Sequence, residues 1–378
     1  MGDELTSFPP EIYVGLQLPK KANPIRQKVK EVVVKKILTD EEISKKEGTY
    51  FDDKGFTIYD SDVDIYTETE TGEKKLIAKL RKQVFDPDIV KTGWEGFWIT
   101  AVASRSRGAA AGPINLQGKY WQKRKPTDVK GWLASYIQDG KVSKMKVSNN
   151  VFSSVLGFYE ATPSMKLPCR LTSFTTKYFK YYKHGIPFIK AIDKCFAALV
   201  PEKYKLQKKA AESKSLLQID DTAFSSVTIN RNFRTALHKD AGDFKDGYGN
   251  LTVIERGKYH GGYTLFPQYK IGFDLRTGDF IAMDVHQWHC NTELYETAED
   301  KKYNKQLQKI HKDDSETGTL GSDKIFTRIS FVCYLREKIL ECNLKETRKH
   351  FKKIGFHPKT NKLNSASTRK KRKEAQAE

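Results

Sequence analysis

The stretch Asn230-Arg231-Asn232-Phe233-Arg234-Thr235-Ala236-Leu237-His238-Lys239-Asp240-Ala241-Gly242-Asp243 decides how this chain is read. In extended backbone, side chains two apart share a side, so the imidazole of His238 and the carboxylate of Asp240 can grip one metal ion. A His and a carboxylate from one strand, joined by a second His from far away, make the facial triad of non-haem Fe(II) oxygenases and leave coordination positions open. Alone the pair is weak evidence, because a chain with eight histidines and many acids produces such spacings by accident. The rest of the sequence has to supply the third ligand.

About forty residues on comes Gly278-Asp279-Phe280-Ile281-Ala282-Met283-Asp284-Val285-His286-Gln287-Trp288-His289-Cys290-Asn291-Thr292. A turn and an apolar strand lead into two histidines, and spacing leaves either His286 or His289 as the distal ligand. Arg328 then falls near the start of a long apolar strand over 325–335. Its guanidinium suits bidentate capture of a carboxylate, although an arginine there also fits a surface ion pair.

Outward from this centre the pattern is of strands. Residues 223–229, 251–255, 271–275 and 280–285 are short and rich in β-formers, with Gly261-Gly262 and Thr277-Gly278-Asp279 as turns. Residues 56–85 alternate as short strands or a hairpin turning at Gly72, and 153–159 is a further strand. Many short strands between Gly-rich turns predict a closed or double-sheet β architecture such as a jelly roll. Residues 176–206 repeat apolar side chains at helical spacing, and Gly185 and Pro187 are expected to split them into two helices. The composition of 101–113, small residues around Arg105 and Arg107, reads as a flexible loop or as backbone that must approach something closely. Lys119 to Lys130 interleaves basic residues with Tyr120 and Trp121, which suits either a nucleic-acid surface or a solvated face with one buried Trp. Residues 28–38 fit a strand or a basic helix equally.

The 378 residues divide into a polar, basic segment at 1–55, a catalytic-sized domain at 56–340 interrupted by a charged, polar excursion at 295–324, and a basic tail at 341–378 expected to be disordered. A formal charge of +20 favours a polyanionic partner. Residues 344–378 alone hold twelve Lys/Arg against three Glu, and 368–373 resembles a nuclear import run. Five scattered cysteines without a CxxC argue against a disulfide framework or zinc ribbon and for a reducing, intracellular setting, nuclear if the source is eukaryotic or a virus of eukaryotes. No apolar run approaches the length of a membrane span, and no secretory signal is expected.

The order of these features resembles the TET/J-binding-protein family of Fe(II)/2-oxoglutarate dioxygenases. The likeness covers roughly residues 60–338 and rests on the ensemble. It includes Ser106-Arg107-Gly108-Ala109-Ala110-Ala111-Gly112, Leu156-Gly157-Phe158-Tyr159, Cys169-Arg170-Leu171-Thr172 and Asn230-Arg231-Asn232 ahead of His238-Lys239-Asp240-Ala241-Gly242. It continues through Gly261-Gly262, Phe266-Pro267, Phe273-Asp274-Leu275-Arg276, His289-Cys290-Asn291-Thr292 and Arg328-Ile329-Ser330. The resemblance implies an α+β fold with a double-stranded β-helix (jelly-roll) core and supporting N-terminal helices. It implies His238, Asp240 and His289 as the Fe(II) ligands, and Arg328, Ser330 and Arg107 as contacts to 2-oxoglutarate. It further implies hydroxylation of the C5-methyl of a pyrimidine flipped out of DNA, 5-methylcytosine or thymine; no residue of the sequence decides between the two bases, and the lean is to 5-methylcytosine. Asn232, Tyr263, Phe266 and His286 are candidate substrate contacts. Two features depart from the family pattern: Cys290 stands where glycine is usual, and 39 residues separate His289 from Arg328. Two other readings remain open, a 2-oxoglutarate oxygenase acting on protein or a small molecule, and a non-catalytic DNA-binding β module.

Overall fold

The structure is a computed structural model and describes residues 5, 7–117, 119–122, 124–312 and 318–364. Its backbone is a ten-stranded sheet. Across the sheet the order is Lys30–Val34, Val63–Glu68, Lys74–Arg81, Phe280–Met283, Gly249–Arg256, Thr327–Tyr334, Ser226–Arg231, Val151–Tyr159 and Arg170–Leu171, with Ala103–Ser104 on a side branch. Only the Lys30–Val34 pairing is parallel among these strands. A four-stranded sheet joins Cys290–Asn291, Thr264–Phe266, Ile271–Phe273 and Thr57–Tyr59. The protein is thus mixed α+β, and residues 28–38 resolve in favour of the strand.

The period of two in the long strands sorts their side chains. Ile329, Phe331 and Cys333 belong to one core together with Val227 and Ile229, under the helices. Arg328, Ser330, Val332, Thr228 and Asn230 point the other way and line a cavity. Lower on that second face, Leu251, Val253, Ile281 and Met283 pack against Phe266, Ile271 and Phe273 of the small sheet. One face is therefore sealed by helices, and the other carries a second sheet and leaves room for a site.

The sealing helices are Pro87–Phe97 and Phe179–Leu199. Tyr182, Ile186, Ile189, Ile192, Phe196 and Leu199 recur at three- and four-residue steps and are buried. Each such side chain removed from water contributes roughly 1.5–3 kcal/mol. The expected break at Gly185 and Pro187 does not occur. At Gly96 a Cβ would meet the Gly185 Cα at 2.6 Å, so the two helices cross backbone to backbone. The helix runs on without a break through Pro187, despite the lost amide donor. The break comes at Val200, before Pro201 opens the Pro201–Ser213 helix as its first residue.

Three other expectations change. Residues 341–364 are not a disordered tail. They form the Leu344–Ile354 helix, capped by Asn343, and a short hairpin, with Phe351 and Phe356 buried against Phe158. The basic run at 368–373 lies outside the described residues. Cys169 and Cys342 are bonded, so the expectation of unpaired thiols holds only for Cys195, Cys290 and Cys333. Residues 173 apart in sequence gave no spacing signal for that bond. Finally, the charged excursion is partly structured: Thr297 and Asp300 form a reciprocal cap on the Ala298–Asn304 helix, and Asn304 is buried, bridging both backbone groups of Lys258. Residues 313–317 of it lie outside the described residues. Among the described residues no helix is long and apolar enough to cross a membrane.

Candidate active site

The segment carrying His238 is tied to the segment carrying His289 by a two-way backbone bridge. Each residue's amide donates to the other's carbonyl at 3.0 Å. This makes the two histidines cross-strand neighbours, with ring centroids 4.4 Å apart. The Asp240 amide reaches the carbonyl of Val285 at 3.1 Å, which brings its carboxylate round to both rings. Asp240 Oδ1 lies 3.5 Å from His238 Nε2, and Oδ2 lies 3.5 Å from His289 Nε2. One ligand atom from each of the three side chains lies within 4.8 Å of the other two, the sole such group among the described residues.

Both rings are oriented in the same way. His238 Nδ1 contacts the carbonyl oxygen of Ala236 at 2.8 Å, and His289 Nδ1 that of Gln287 at 2.9 Å. A carbonyl only accepts, so each Nδ1 carries a proton and each Nε2 turns its lone pair to the centre. Burial would raise the Asp240 carboxyl, but its contacts with His238 and His289 outweigh that and hold it well below the usual carboxylate range. Burial lowers His289, yet the hydrogen bond and charge of Asp240 leave it raised above an ordinary imidazole. An anion between two basic rings is a site prepared for a cation.

The cavity above this group measures about 320 Å³. Arg328 enters it from the Thr327–Tyr334 strand, almost fully buried. Its Nη2 donates to the Gly262 carbonyl at 3.2 Å, while Nε is buried without a partner. An orphaned guanidinium donor inside a cavity is costly unless an acceptor arrives. Ser330 follows on the same face, and Arg107, at the start of the 108–111 turn, also lines the cavity. Behind Arg328, Glu255 stands directly across the strand pair. It accepts from Tyr259, from the Thr277 amide and from Arg276, whose Nη2 also donates to the Gly261 carbonyl at 3.2 Å. Gly262 must be glycine: its φ is +72°, and a Cβ there would sit 3.2 Å from Arg328 Nε.

The candidate metal ligands His238, Asp240 and His289 therefore come together, and Arg328, Ser330 and Arg107 face them. The four candidate substrate contacts do not join that cavity. Asn232 is buried in a left-handed conformation with φ 47°. There its amide side chain accepts from the Arg328 N–H and donates to the Phe326 carbonyl. It aligns the arginine's strand and offers nothing to a base. Phe266 is fully buried between Phe273 and His289. His286 turns away, its Nε2 3.3 Å from the Phe244 carbonyl. Tyr263 lines a separate cleft with Arg276, Glu255 and Tyr259.

Sequence reasoning missed other wall residues. Arg336, held by Glu160 at 2.6 and 2.7 Å, and Tyr334 both line the cavity. Extending the alternation from Arg328 through Ser330 and Val332 would have found them. Asp243 also lines it. Burial, and next the Asp240 carboxylate, push its carboxyl well above the usual range, and its Oδ2 has no partner. No periodicity marks that residue. The small residues at 108–112 are no loose loop: Asn149 donates to the carbonyls of Ala111, Gly112 and Pro113 and fixes the turn against the cavity.

Residues 154–337 match a family model, Tet_JBP, described as the oxygenase domain of the 2OGFeDO superfamily. The bifunctional helicase and thymine dioxygenase JBP2 of Leishmania tarentolae is 32% identical over 205 residues, which are 53% of this chain and 16% of that protein. The thymine dioxygenase JBP1 of Trypanosoma brucei brucei is 36% identical over 144 residues, 38% of this chain and 17% of its own length. The solved structure of NgTET1 in complex with 5mC DNA aligns over 76% of this chain and 84% of that one at 10% identity, with a TM-score of 0.41. Over residues 154–337, a little under half of its length, the chain is thus similar to the oxygenase domain of the Tet/JBP family, and it spans less than a fifth of the length of these curated relatives.

Proposed function

We propose that this protein is an Fe(II)/2-oxoglutarate-dependent dioxygenase that hydroxylates the C5-methyl of a pyrimidine base flipped out of DNA. The observation that carries the reading is the convergence of His238, Asp240 and His289 opposite a buried, part-orphaned Arg328 in one cavity. Two neutral imidazoles and a carboxylate on one side are the donor set for Fe(II) with open positions. The two sheets, with the triad at the cavity between them, fit a double-stranded β-helix.

In this reading His238, Asp240 and His289 hold the iron. Arg328 and Ser330 would take the far carboxylate of 2-oxoglutarate, and Arg107 of the same cavity would add a further contact. Fe(II), 2-oxoglutarate and dioxygen together supply the oxidising power for an unactivated methyl C–H, and the protein contributes position and exclusion. Asn232 and the Gly262 carbonyl fix the strand and the guanidinium of Arg328. A methyl group inside a duplex cannot reach a recessed cavity, so the base must be extruded. Asp243, Tyr334 and Arg336 are further polar groups of the cavity wall. Of these, the Asp243 carboxyl has an oxygen without a partner and can meet a pyrimidine edge, while Arg336 is engaged by Glu160 and Tyr334.

The sequence alone leans towards 5-methylcytosine. The relatives named thymine dioxygenases move the reading to thymine, which differs at position 4 by an acceptor in place of a donor. An intracellular, DNA-containing compartment goes with either base.

The test is to incubate the protein with Fe(II), 2-oxoglutarate and ascorbate on duplexes containing thymine or 5-methylcytosine, digest them, and analyse the nucleosides by mass spectrometry. 5-Hydroxymethyluracil or 5-hydroxymethylcytosine, absent with His238→Ala, is expected. Succinate formed with no oxidised pyrimidine in any duplex would overturn the DNA assignment and favour a protein or small-molecule substrate.

A further inference from the structure

Residues 119–146 lie outside the segment that matches the family model, and nothing in the catalytic reading uses them. They hold eight Lys or Arg against two Asp, so 28 residues carry +6 of the chain's +20. The segment folds as a separate three-stranded sheet, Lys125–Lys130, Leu133–Gln138 and Lys141–Val142, which joins neither of the sheets around the site. Lys125, Lys141 and Lys144 are exposed and make no ion pair among the described residues. A small sheet with little core of its own, holding unneutralised charge in water, is poorly explained as a stabilising element.

Its attachment gives it a direction. At one foot Ser148 Oγ accepts from the Arg107 amide at 3.3 Å and donates to the Arg105 carbonyl at 3.0 Å, which ties the end of the arm to the cavity wall. Asn149 clamps the two feet together through the carbonyls of 111–113 and the Asn115 amide. The Arg105 guanidinium lies 3.6 Å from the centre of the Tyr120 ring, and Arg124 lies 4.3 Å from the same centre. This stack stiffens the base of the arm. On the far side Trp132 sits on Gly48, where a Cβ would be 2.2 Å from its ring, and the neighbouring Glu47 lines the cavity mouth. The arm is thus braced on both sides of one opening and cannot swing freely away from it.

We propose that the 119–146 arm is a clamp for the phosphate backbone of the nucleic acid whose base enters the cavity. This rests on the proposed DNA substrate. The ligand class follows from charge and place. Lysines that are point charges on flexible stems make sequence-independent phosphate contacts. Beside the mouth, such contacts would hold the strand on either side of an extruded base.

The experiment compares the full chain with a Lys125→Ala/Lys141→Ala/Lys144→Ala variant. A second variant, Lys194→Ala/Lys205→Ala/Lys209→Ala, removes the same charge from exposed positions on the helices at 179–199 and 201–213. Duplex binding is read by fluorescence anisotropy over a salt series, and pyrimidine oxidation is read separately. Each lost phosphate contact lowers the slope of log K against log salt by about 0.9. The arm variant is therefore expected to lose roughly 2–3 in slope, and about tenfold or more in low-salt affinity. The helix variant should bind like the wild type, and 2-oxoglutarate binding should be unchanged in both. Equal slopes and affinities for arm variant and wild type would overturn the clamp. So would equal losses in the two variants, which mean a diffuse charge effect. If the wild type oxidises duplex DNA and the arm variant matches it, the clamp fails while the catalytic reading stands. If the arm variant alone loses DNA binding but no pyrimidine is oxidised by the wild type, the clamp stands and the substrate assignment falls.

Discussion

His238 and His289 are held by one device, a ring Nδ1 bonded to the carbonyl two residues earlier, and Asp240 completes the set between their Nε2 atoms. Removing the acid leaves two neutral rings and no anion. Asp240→Ala is expected to abolish Mn(II) or Fe(II) binding by calorimetry and to cut turnover by about a thousandfold, the equivalent of roughly 4 kcal/mol. Residue-scale electrostatics also act on stability at Glu160. Burial alone would raise this carboxyl, but two hydrogen bonds from Arg336 and its charge lower it. A folded-state pKa below the unfolded value means stability that is fully present above the unfolded pKa, near 4.3, and lost as pH falls through the folded one. Glu160→Gln should cost roughly 1–3 kcal/mol in urea unfolding at pH 7. The gap between variant and wild type should close below about pH 4. A gap that persists undiminished at acid pH would refute the pairing as its source.

At the scale of elements, the site depends on how strands hold each other. Arg328 is set by the Asn232 clamp at its backbone and by Gly262 at its side chain, and Gly262 is held in turn through Arg276 on the adjoining Gly261 carbonyl. Arg276→Gln keeps a donor but loses the ion pairs with Glu255 and Asp274. It is expected to raise the KM for 2-oxoglutarate by about 3–10-fold, in the range of one ordinary hydrogen bond, with metal affinity unchanged. A parallel loss of metal binding would mean general disorder instead of misplacement of Arg328. Elements also mark where sequence reading stops. The strands, their turns and the helical face of 179–199 follow from periodicity, because period two and period 3.6 are local properties. The unbroken passage through Pro187 does not, since proline locally reads as a helix breaker.

For the whole molecule, the bond between Cys169 and Cys342 fastens the C-terminal helix and hairpin onto the edge of the main sheet. A Cys169→Ala/Cys342→Ala protein should be less stable by roughly 2–4 kcal/mol. Reductant should bring the wild type to the same urea midpoint, with oxygenase turnover at 25 °C retained. Equal midpoints with and without reductant would indicate that packing of Phe351 and Phe356 alone holds that end.

The His238–Asp240 pair, the position of Arg328 on its strand and the alternation of strands were legible in the sequence. They are written in short-range spacing and in residue types whose chemistry is restricted. The choice between His286 and His289 was not settled by spacing, because both follow the same strand. The backbone bridge to His238 turns one ring inward and leaves the other on the Phe244 carbonyl. Asn232 and Phe266 read as pocket residues only until the fold assigned them to strand clamping and core. The disulfide, the unneutralised arm beside the mouth and the walls made by Asp243 and Arg336 are contacts between segments far apart in the chain. Only tertiary packing brings such groups within bonding distance, and no local pattern records it.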